Sequence, residues 1–152
     1  MNIIDFLEKD HDRLRRELVR VKNSLSQGGV LEEIKTYIVM QELHESIEDE
    51  ILFAKVNQIS ERVSSIDALI TNKQVHKKIG SHLNRLLESL KTNRFATIQH
   101  VFFEFCALVE THMEHEEFLI FPYVKSLLSN ETLEELGEKA QSRMERSDVL
   151  QP

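Results

Sequence analysis

The sequence has few of the residues that interrupt helices, form disulfides or cross membranes. Its 152 residues include four glycines, two prolines, one cysteine and no tryptophan. So few turn-forming residues exclude an architecture of many short strands and favour long helices. Cys106 has no partner for an internal disulfide, as is typical of a reducing cytosol. No apolar run approaches the roughly 18 residues that span a bilayer, and no secretory signal is visible, so we expect a cytoplasmic protein.

Acidic residues and histidines are what the chain has in excess. The formal net charge of −7 argues against nucleic acid or an anionic membrane as the main partner. A hydrophobic content of 41% and a charged content of 30% are ordinary for one domain with a real core. The positions of the seven histidines therefore become the informative feature.

Apolar residues recur at helical spacing in four long segments, at about 3–26, 31–59, 66–91 and 95–128. The links between them are expected at Gly28-Gly29, at 60–65 and at 92–93. In the last segment Leu119 belongs to the predicted inner stripe, and Pro122 should kink or loosen the final turns. The pattern predicts an all-α fold, an antiparallel up-down-up-down four-helix bundle in residues 1–129. Residues 130–152 are predicted to form a short C-terminal helix and tail: the charged run 131–146 is expected to be an amphipathic, largely solvated helix, followed by a frayed end.

The four segments contain an internal repeat. The pattern His11-x-x-Leu14 in the first segment matches His76-x-x-Ile79 in the third. The pattern His-x-x-x-Glu occurs in the second segment and again in the fourth, each time with phenylalanine nine residues after the histidine. The residues of these two copies are His44, Glu48 and Phe53, and His112, Glu116 and Phe121. The fold is therefore predicted to consist of two similar helical hairpins that bring the same polar groups inward.

Counting along the helices places these polar groups at one depth. His11 precedes Gly28 by about as many residues as separate Gly29 from His44, which is roughly 25 Å at 1.5 Å per residue. His76 and His112 are similarly equidistant from the link at 92–93. Since histidine and glutamate four residues apart share a helix face, all six side chains are predicted to lie in one layer.

A layer of this kind points to metal. Two carboxylates in an apolar core are very costly unless they are neutralised, and buried imidazolium is also disfavoured. Two divalent cations bridged by Glu48 and Glu116 would balance the charge, and mixed imidazole and carboxylate ligation suits redox iron. Zinc more often takes four ligands around one ion, and six inward groups exceed that. The predicted metal ligands are His11, His44, Glu48, His76, His112 and Glu116.

The order of the motif separates this pattern from other metal sites. Ferritin-like di-iron bundles use Glu-x-x-His, with glutamate first. A metalloprotease His-Glu-x-x-His would need histidine at position 48, where the chain has Glu48. Neither pattern fits two copies of His-x-x-x-Glu accompanied by two separate histidines.

Over about residues 3 to 128 the sequence resembles the hemerythrin-like, or HHE cation-binding, domains. The resemblance rests on the six predicted ligands and on the flanking Glu48-Asp49…Leu52-Phe53 and Glu116-Glu117…Phe121-Pro122. It implies a four-helix bundle with a non-haem pair of iron ions, the two ions being bridged by carboxylates. It also implies binding of, or reaction with, dioxygen, nitric oxide or peroxide, with a role in oxygen or redox sensing or in stress.

The sequence departs from the oxygen-carrying members of that family at two positions. They have a second histidine four residues after the one matched by His76, where this chain has Gly80. They also end the last motif with aspartate five residues after histidine, where this chain has Glu116 at four. These departures argue against pure reversible oxygen carriage. Glu45 is a candidate seventh ligand, since an acidic residue after the helix-two histidine resembles the iron-sensing hemerythrin domain of an F-box protein.

Three functional hypotheses remain open at this stage. The first is a di-iron protein that binds or reacts with a small oxidant, and whether it is an enzyme stays undecided. The second is a non-catalytic iron sensor or store whose folding is coupled to metal binding. The third is an adaptor whose acidic tail docks a partner. The expected partners are dioxygen or another small diatomic or peroxide ligand, with no nucleic acid and no membrane; a homodimer is an open alternative.

Several nearby residues receive weaker predictions. Asp10 and Asp12 are expected to be solvated, His82 to lie at the surface, and His100 to have a structural role. His115 is a candidate hydrogen-bond partner behind the metal ligands, because metal-bound histidines need such partners. Tyr37, two turns from His44, is a candidate lining residue of the pocket.

Overall fold

The computed structural model describes residues 1–26, 31–59 and 67–150, and within these ranges every regular element is helical, which confirms the all-α class. The links predicted at Gly28-Gly29 and at 60–65 lie outside the described residues. None of the described helices combines the length and the apolar character that crossing a bilayer requires. In chain order the elements are α1 (Ile3–Leu25), α2 (Leu31–Ile47), π1 (Glu48–Phe53), α3 (Ala54–Ile59), α4 (Asp67–Leu90), α5 (Phe95–His115), π2 (Glu116–Ile120), α6 (Phe121–Leu127) and α7 (Asn130–Leu150).

Helix α1 shows how sequence and local structure agree. The Asn2 side chain caps its start by accepting a hydrogen bond from the backbone N–H of Asp5 at 3.0 Å, which satisfies one otherwise unpaired donor of the first turn. The apolar stripe that follows is buried throughout, as its spacing predicts. Its buried members are Ile4, Leu7, His11, Leu14, Leu18, Val21 and Leu25.

Two π-helical segments interrupt the second and fourth long helices, and each begins at the glutamate of a His-x-x-x-Glu pattern. A π-helical turn holds one more residue than an α-helical turn, so the side chains beyond it are rotated. This rotation explains why the prediction for Leu119 is wrong: Leu119 is 50% exposed, and Ile120 is buried in its place. Pro122 follows the π segment in the first turn of α6. Since π1 forms without a proline, a proline is not required for a π-helical segment in this fold.

The helices enclose two apolar clusters separated by a polar layer. Helix α1 packs along α2, and α4 packs along α5. One cluster contains apolar residues from the start of α1, such as Leu7, and from α7, together with Ile47 and Phe121. The other lies toward the opposite end of the helices and includes Leu14 and Ile79. The predicted ligands occupy positions between these clusters along each helix. Burial of each Leu, Ile or Phe side chain in the clusters stabilises the fold by about 1.5–3 kcal/mol.

Helix α7 is longer and less solvated than predicted. It covers Asn130–Leu150, packs along α1, and buries one face in the cluster that contains Leu7. The Ser129 hydroxyl accepts a hydrogen bond from the Thr132 N–H at 3.1 Å near its start. Among the charged residues of this run, apolar residues recur at spacings of three and four and form one face of the helix. Its buried members are Leu133, Leu136, Ala140 and Met144.

A glycine allows α7 to approach the chain's first residues. A Cβ atom at Gly137 would lie 2.0 Å from the backbone oxygen of Met1 and 2.9 Å from the carbonyl carbon of Asn2. Both distances are too short for any side chain, so the close packing of α7 on the start of α1 requires glycine. At Gly80, in the middle of α4, a Cβ would meet nothing within 4 Å.

We expect opposite effects on stability from the same substitution at these two glycines. Gly137→Ala should lower the free energy of unfolding by about 1–3 kcal/mol, because backbone must move to admit the methyl group. Gly80→Ala should raise it by about 0.5–1 kcal/mol, because alanine favours a helix interior. Urea unfolding followed by far-UV circular dichroism measures both. A Gly137→Ala protein as stable as the unsubstituted protein would contradict the close approach of α7.

Candidate metal centre

The structure brings the six predicted ligands together in two overlapping groups. In each group the ligand atoms lie within 4.8 Å of one another, and every residue is buried. His11 and His44 form one group with the two glutamates, and His76 and His112 form the other with the same two glutamates. Glu48 and Glu116 are thus shared, which is the arrangement expected of carboxylates that bridge two cations.

The inward atoms of each group are closely spaced. The Nε2 atoms of His11 and His44 are 3.1 Å apart, and those of His76 and His112 are 2.9 Å apart. Oε1 of Glu116 lies 3.3 Å from Nε2 of both His11 and His112, so a single oxygen reaches both groups. Oε1 of Glu48 contacts Nε2 of His44, while its Oε2 lies 3.9 Å from Nε2 of His76.

Carboxylates behind the histidines determine which ring nitrogen faces inward. Nδ1 of His44 is 2.7 Å from Asp10, and Nδ1 of His76 is 2.8 Å from Asp49. Nδ1 of His11 is 2.9 Å from Glu117. Since a carboxylate accepts the hydrogen bond, each neutral ring carries its proton on Nδ1 and presents the lone pair of Nε2 to the centre.

Arginines hold two of these outer carboxylates in place. Arg15 donates two hydrogen bonds to Glu117, at 2.8 and 2.9 Å. Nε of Arg13 donates to Asp10 at 2.9 Å. Asp49, by contrast, is 46% exposed. The histidines of the first group are therefore more rigidly supported than those of the second.

The residues present fit a pair of cations. Two inward Nε2 lone pairs about 3 Å apart repel each other unless a cation or a proton lies between them. Both oxygens of Glu48 and Oε1 of Glu116 are buried without a hydrogen-bond donor among the described residues. Ligand atoms at right angles around an ion with bonds of about 2.1 Å are about 3.0 Å apart, close to the spacing of the histidine pairs.

Without cations the centre must take up protons. Burial, together with the charge of Glu116, raises the pKa of Glu48 well above its usual range, which favours the protonated form of Glu48. Burial lowers the pKa of His44, but the charge of Glu48 and the hydrogen bond to Asp10 outweigh it and raise that pKa to about 10. Burial likewise opposes ionisation of His76, yet its hydrogen bonds to Asp49 and Glu116 raise its pKa to about 11.

His112 departs from the other three histidines. Its Nδ1 atom is buried and has no hydrogen-bond partner among the described residues. Burial lowers the pKa of His112 to about 4. The internal repeat explains the missing partner, because the residue before His11 is Asp10, whereas the residue before His76 is Val75. Valine cannot accept the hydrogen bond that Asp10 accepts from His44.

Two polar residues of the centre were predicted wrongly or not at all. Asp10 was expected to be solvated but is buried against His44. Asn72 was not predicted; it is buried, and its amide donates to Oε2 of Glu116 at 3.2 Å. The available signals were the position of Asp10 beside His11, and that of Asn72 one helical turn before His76.

The other nearby candidates have clear positions. Tyr37 is fully buried and donates to Oε1 of Gln41 at 2.7 Å, and Gln41 donates to Glu45 at 3.2 Å. Burial raises the pKa of Glu45 to about 7, but Glu45 belongs to neither four-residue group. His100 is exposed and pairs with Glu104.

The pKa shifts of His44 and His76 predict how the metal-free protein responds to pH. Both groups titrate near 6.5 when unfolded and near 10 and 11 when folded, so the folded state binds more protons between these values. Their contribution to stability is complete below pH 6.5 and is lost as the pH rises toward 10. Urea unfolding of chelator-treated protein across this range should therefore show falling stability.

The matched control for this titration is His76→Gln, which removes one of the two groups. The free energy of unfolding of this variant should fall less steeply as the pH rises. A metal-free protein whose stability increases over the same pH range would show that the two imidazoles do not carry the extra protons.

Substitution of Asp10 tests the support behind His44. Asp10→Asn should weaken metal binding by about 10- to 100-fold, because the imidazole loses its charged acceptor. Asp12→Asn makes the same chemical change two residues away on a side chain that is 65% exposed, and should leave affinity unchanged. Competition for cobalt(II) against a chromophoric chelator measures both proteins. Equal affinities would contradict the role given to Asp10.

Comparison with known proteins adds no relative to this description. No family model, no curated protein and no solved structure matches the chain. The arguments for a metal centre therefore rest on its own geometry and on the chemistry of its donor atoms.

Proposed function

We propose that this protein is a hemerythrin-like domain that holds a carboxylate-bridged pair of iron ions and binds or reacts with dioxygen or another small oxidant. The observation that carries the proposal is the pair of overlapping four-residue groups that share Glu48 and Glu116. The proposal includes the finer fold, an antiparallel up-down-up-down four-helix bundle with α7 as an extra helix. The packing of α1 along α2 and of α4 along α5 supports that arrangement.

The donor set favours iron over zinc. Each group offers two imidazole nitrogens and a share in two carboxylates, which leaves coordination positions open on ions that prefer six ligands. A structural zinc site is instead closed by four ligands around one ion. When bound, an iron pair supplies one-electron redox chemistry and open positions for a small ligand.

The protein's own residues have three tasks in this proposal. Glu48 and Glu116 provide the bridging charge, and the four imidazoles provide terminal nitrogen donors. Asp10, Asp49 and Glu117 keep the protons of three imidazoles on Nδ1, away from the centre. The apolar clusters on either side exclude water, and the ring of Phe121 stacks on His11 with a centroid distance of 5.5 Å. Such a dry site strengthens the electrostatic interactions inside it.

The second candidate is a non-catalytic iron sensor or store with the same ligands. The burial of both glutamates supports it, since metal binding and folding are then coupled. In either case we propose a cytoplasmic location, which fits the buried thiol of Cys106.

Optical spectra of anaerobically iron-loaded protein separate the two candidates. On exposure to dioxygen, the first predicts a new band in the near-ultraviolet and visible range. Glu48→Gln should abolish that band, because one bridging charge is lost. Glu42→Gln, on the exposed face of α2, should retain the band. Loss of helicity on chelation, without any spectrum that depends on oxygen, would favour the sensor or store instead.

A further inference from the structure

A cavity of about 210 Å³ lies between α3 and α4, next to the metal centre. Two of its lining residues contact that centre directly. Asp49 accepts the hydrogen bond from Nδ1 of His76, and Asn72 donates to Oε2 of Glu116. The remaining wall includes Phe53, Ala54 and Ile70. The cavity thus lies against two residues that contact His76 and Glu116, on the side of the centre formed by the second histidine pair.

The inner wall of this cavity carries an unused hydrogen-bond acceptor. Asn72 is 2% exposed, and its Oδ1 atom has no partner among the described residues. A buried acceptor without a partner lowers the stability of the fold. A small ligand with a hydrogen-bond donor, lying in the cavity beside Asn72, would remove that cost.

The internal repeat shows that the equivalent region near the first histidine pair is closed. The counterpart of Asn72 is Leu7, and the counterpart of Phe53 is Phe121; both are fully buried. Phe121 stacks on His11, whereas Phe53 is only half-buried, and its ring centroid is 6.4 Å from that of His76.

The outer carboxylates show the same asymmetry. Glu117, the counterpart of Asp49, is held by two hydrogen bonds from Arg15, whereas Asp49 is 46% exposed. An apolar wall and an ion pair therefore close one side of the centre, while the other side keeps a cavity and a free acceptor.

We propose that small ligands reach the centre through the cavity between α3 and α4 and bind on the side of His76 and His112. There Oδ1 of Asn72 accepts a hydrogen bond from the ligand, which favours ligands with an O–H group, such as water or hydrogen peroxide, over ligands without a donor, such as azide. This inference rests on the proposed function, because it assumes an iron pair between the two glutamates.

Two variants at one position test the entrance. Ala54→Phe should narrow the cavity, while Ala54→Ser should leave it open. Stopped-flow absorbance of the oxidised, iron-loaded proteins mixed with azide gives association and dissociation rates. We expect Ala54→Phe to lower both rates at least tenfold with little change in equilibrium affinity, and Ala54→Ser to behave as the unsubstituted protein. Equal rates in the two variants, at equal helicity and iron content, would overturn the proposed entrance.

A third variant tests the acceptor. Asn72→Leu keeps the approximate size of the side chain and installs the residue found at the equivalent Leu7. Because azide competes with water at the site, removal of the acceptor that favours water should raise azide affinity severalfold. Unchanged or weaker azide binding, in a protein with the full iron content, would overturn the role of Asn72.

Iron content separates failure of this inference from failure of the proposed function. If the unsubstituted protein binds two iron ions per chain but the variants do not alter azide binding as described, only the route and the role of Asn72 are wrong. If it binds no stoichiometric iron, the proposed function is wrong, and this inference is wrong with it.

Discussion

Two carboxylates lie side by side in a layer that the surrounding helices keep dry, and this constraint organises the rest of the molecule. Glu48 and Glu116 are both fully buried, with apolar clusters on either side along the helices. Uncompensated, such charges would cost far more than a domain's marginal stability of about 5–15 kcal/mol. Three layers of polar groups surround the two glutamates. The imidazoles face them with Nε2, three of them donate outward from Nδ1 to carboxylates, and Arg13 and Arg15 hold two of those carboxylates from outside. Positive charge beside the glutamates completes this arrangement: protons on His44 and His76 supply it in the metal-free protein, and a pair of cations would supply it in the function that we propose.

The internal repeat makes the centre symmetric, and departures from that repeat make its two histidine pairs different. Each hairpin contributes one lone histidine and one His-x-x-x-Glu pair. Two of the three outer carboxylates cross between hairpins: Asp49 supports His76, and Glu117 supports His11. Such crossing ties the two hairpins together through polar contacts as well as through the core. Where the repeat fails, as at Val75 in place of Asp10, the second histidine pair is left less supported. A less constrained side is the natural place for an exchangeable ligand.

Helical periodicity was enough to predict the helices and the layer, because a side chain's face and depth follow from counting residues. It was not enough for features that depend on a neighbouring helix. Asp10 was predicted to be solvated, since nothing along α1 shows that α2 presents His44 to it. The π segments depend on local backbone hydrogen bonds, so Leu119 was placed on the wrong face. The sequence of residues 131–146 predicts an amphipathic helix, but it does not show that the apolar face of this helix packs against α1. The repeat still contained useful information, because Asn72 stands where the other hairpin has leucine.

The central claim is that two iron ions lie between Glu48 and Glu116. The most direct measurement is X-ray diffraction from crystals of iron-loaded protein at wavelengths on both sides of the iron absorption edge. The account predicts two anomalous peaks per chain, one beside His11 and His44 and one beside His76 and His112, with both glutamates contacting both peaks. A single peak, or peaks elsewhere on the protein, would contradict it.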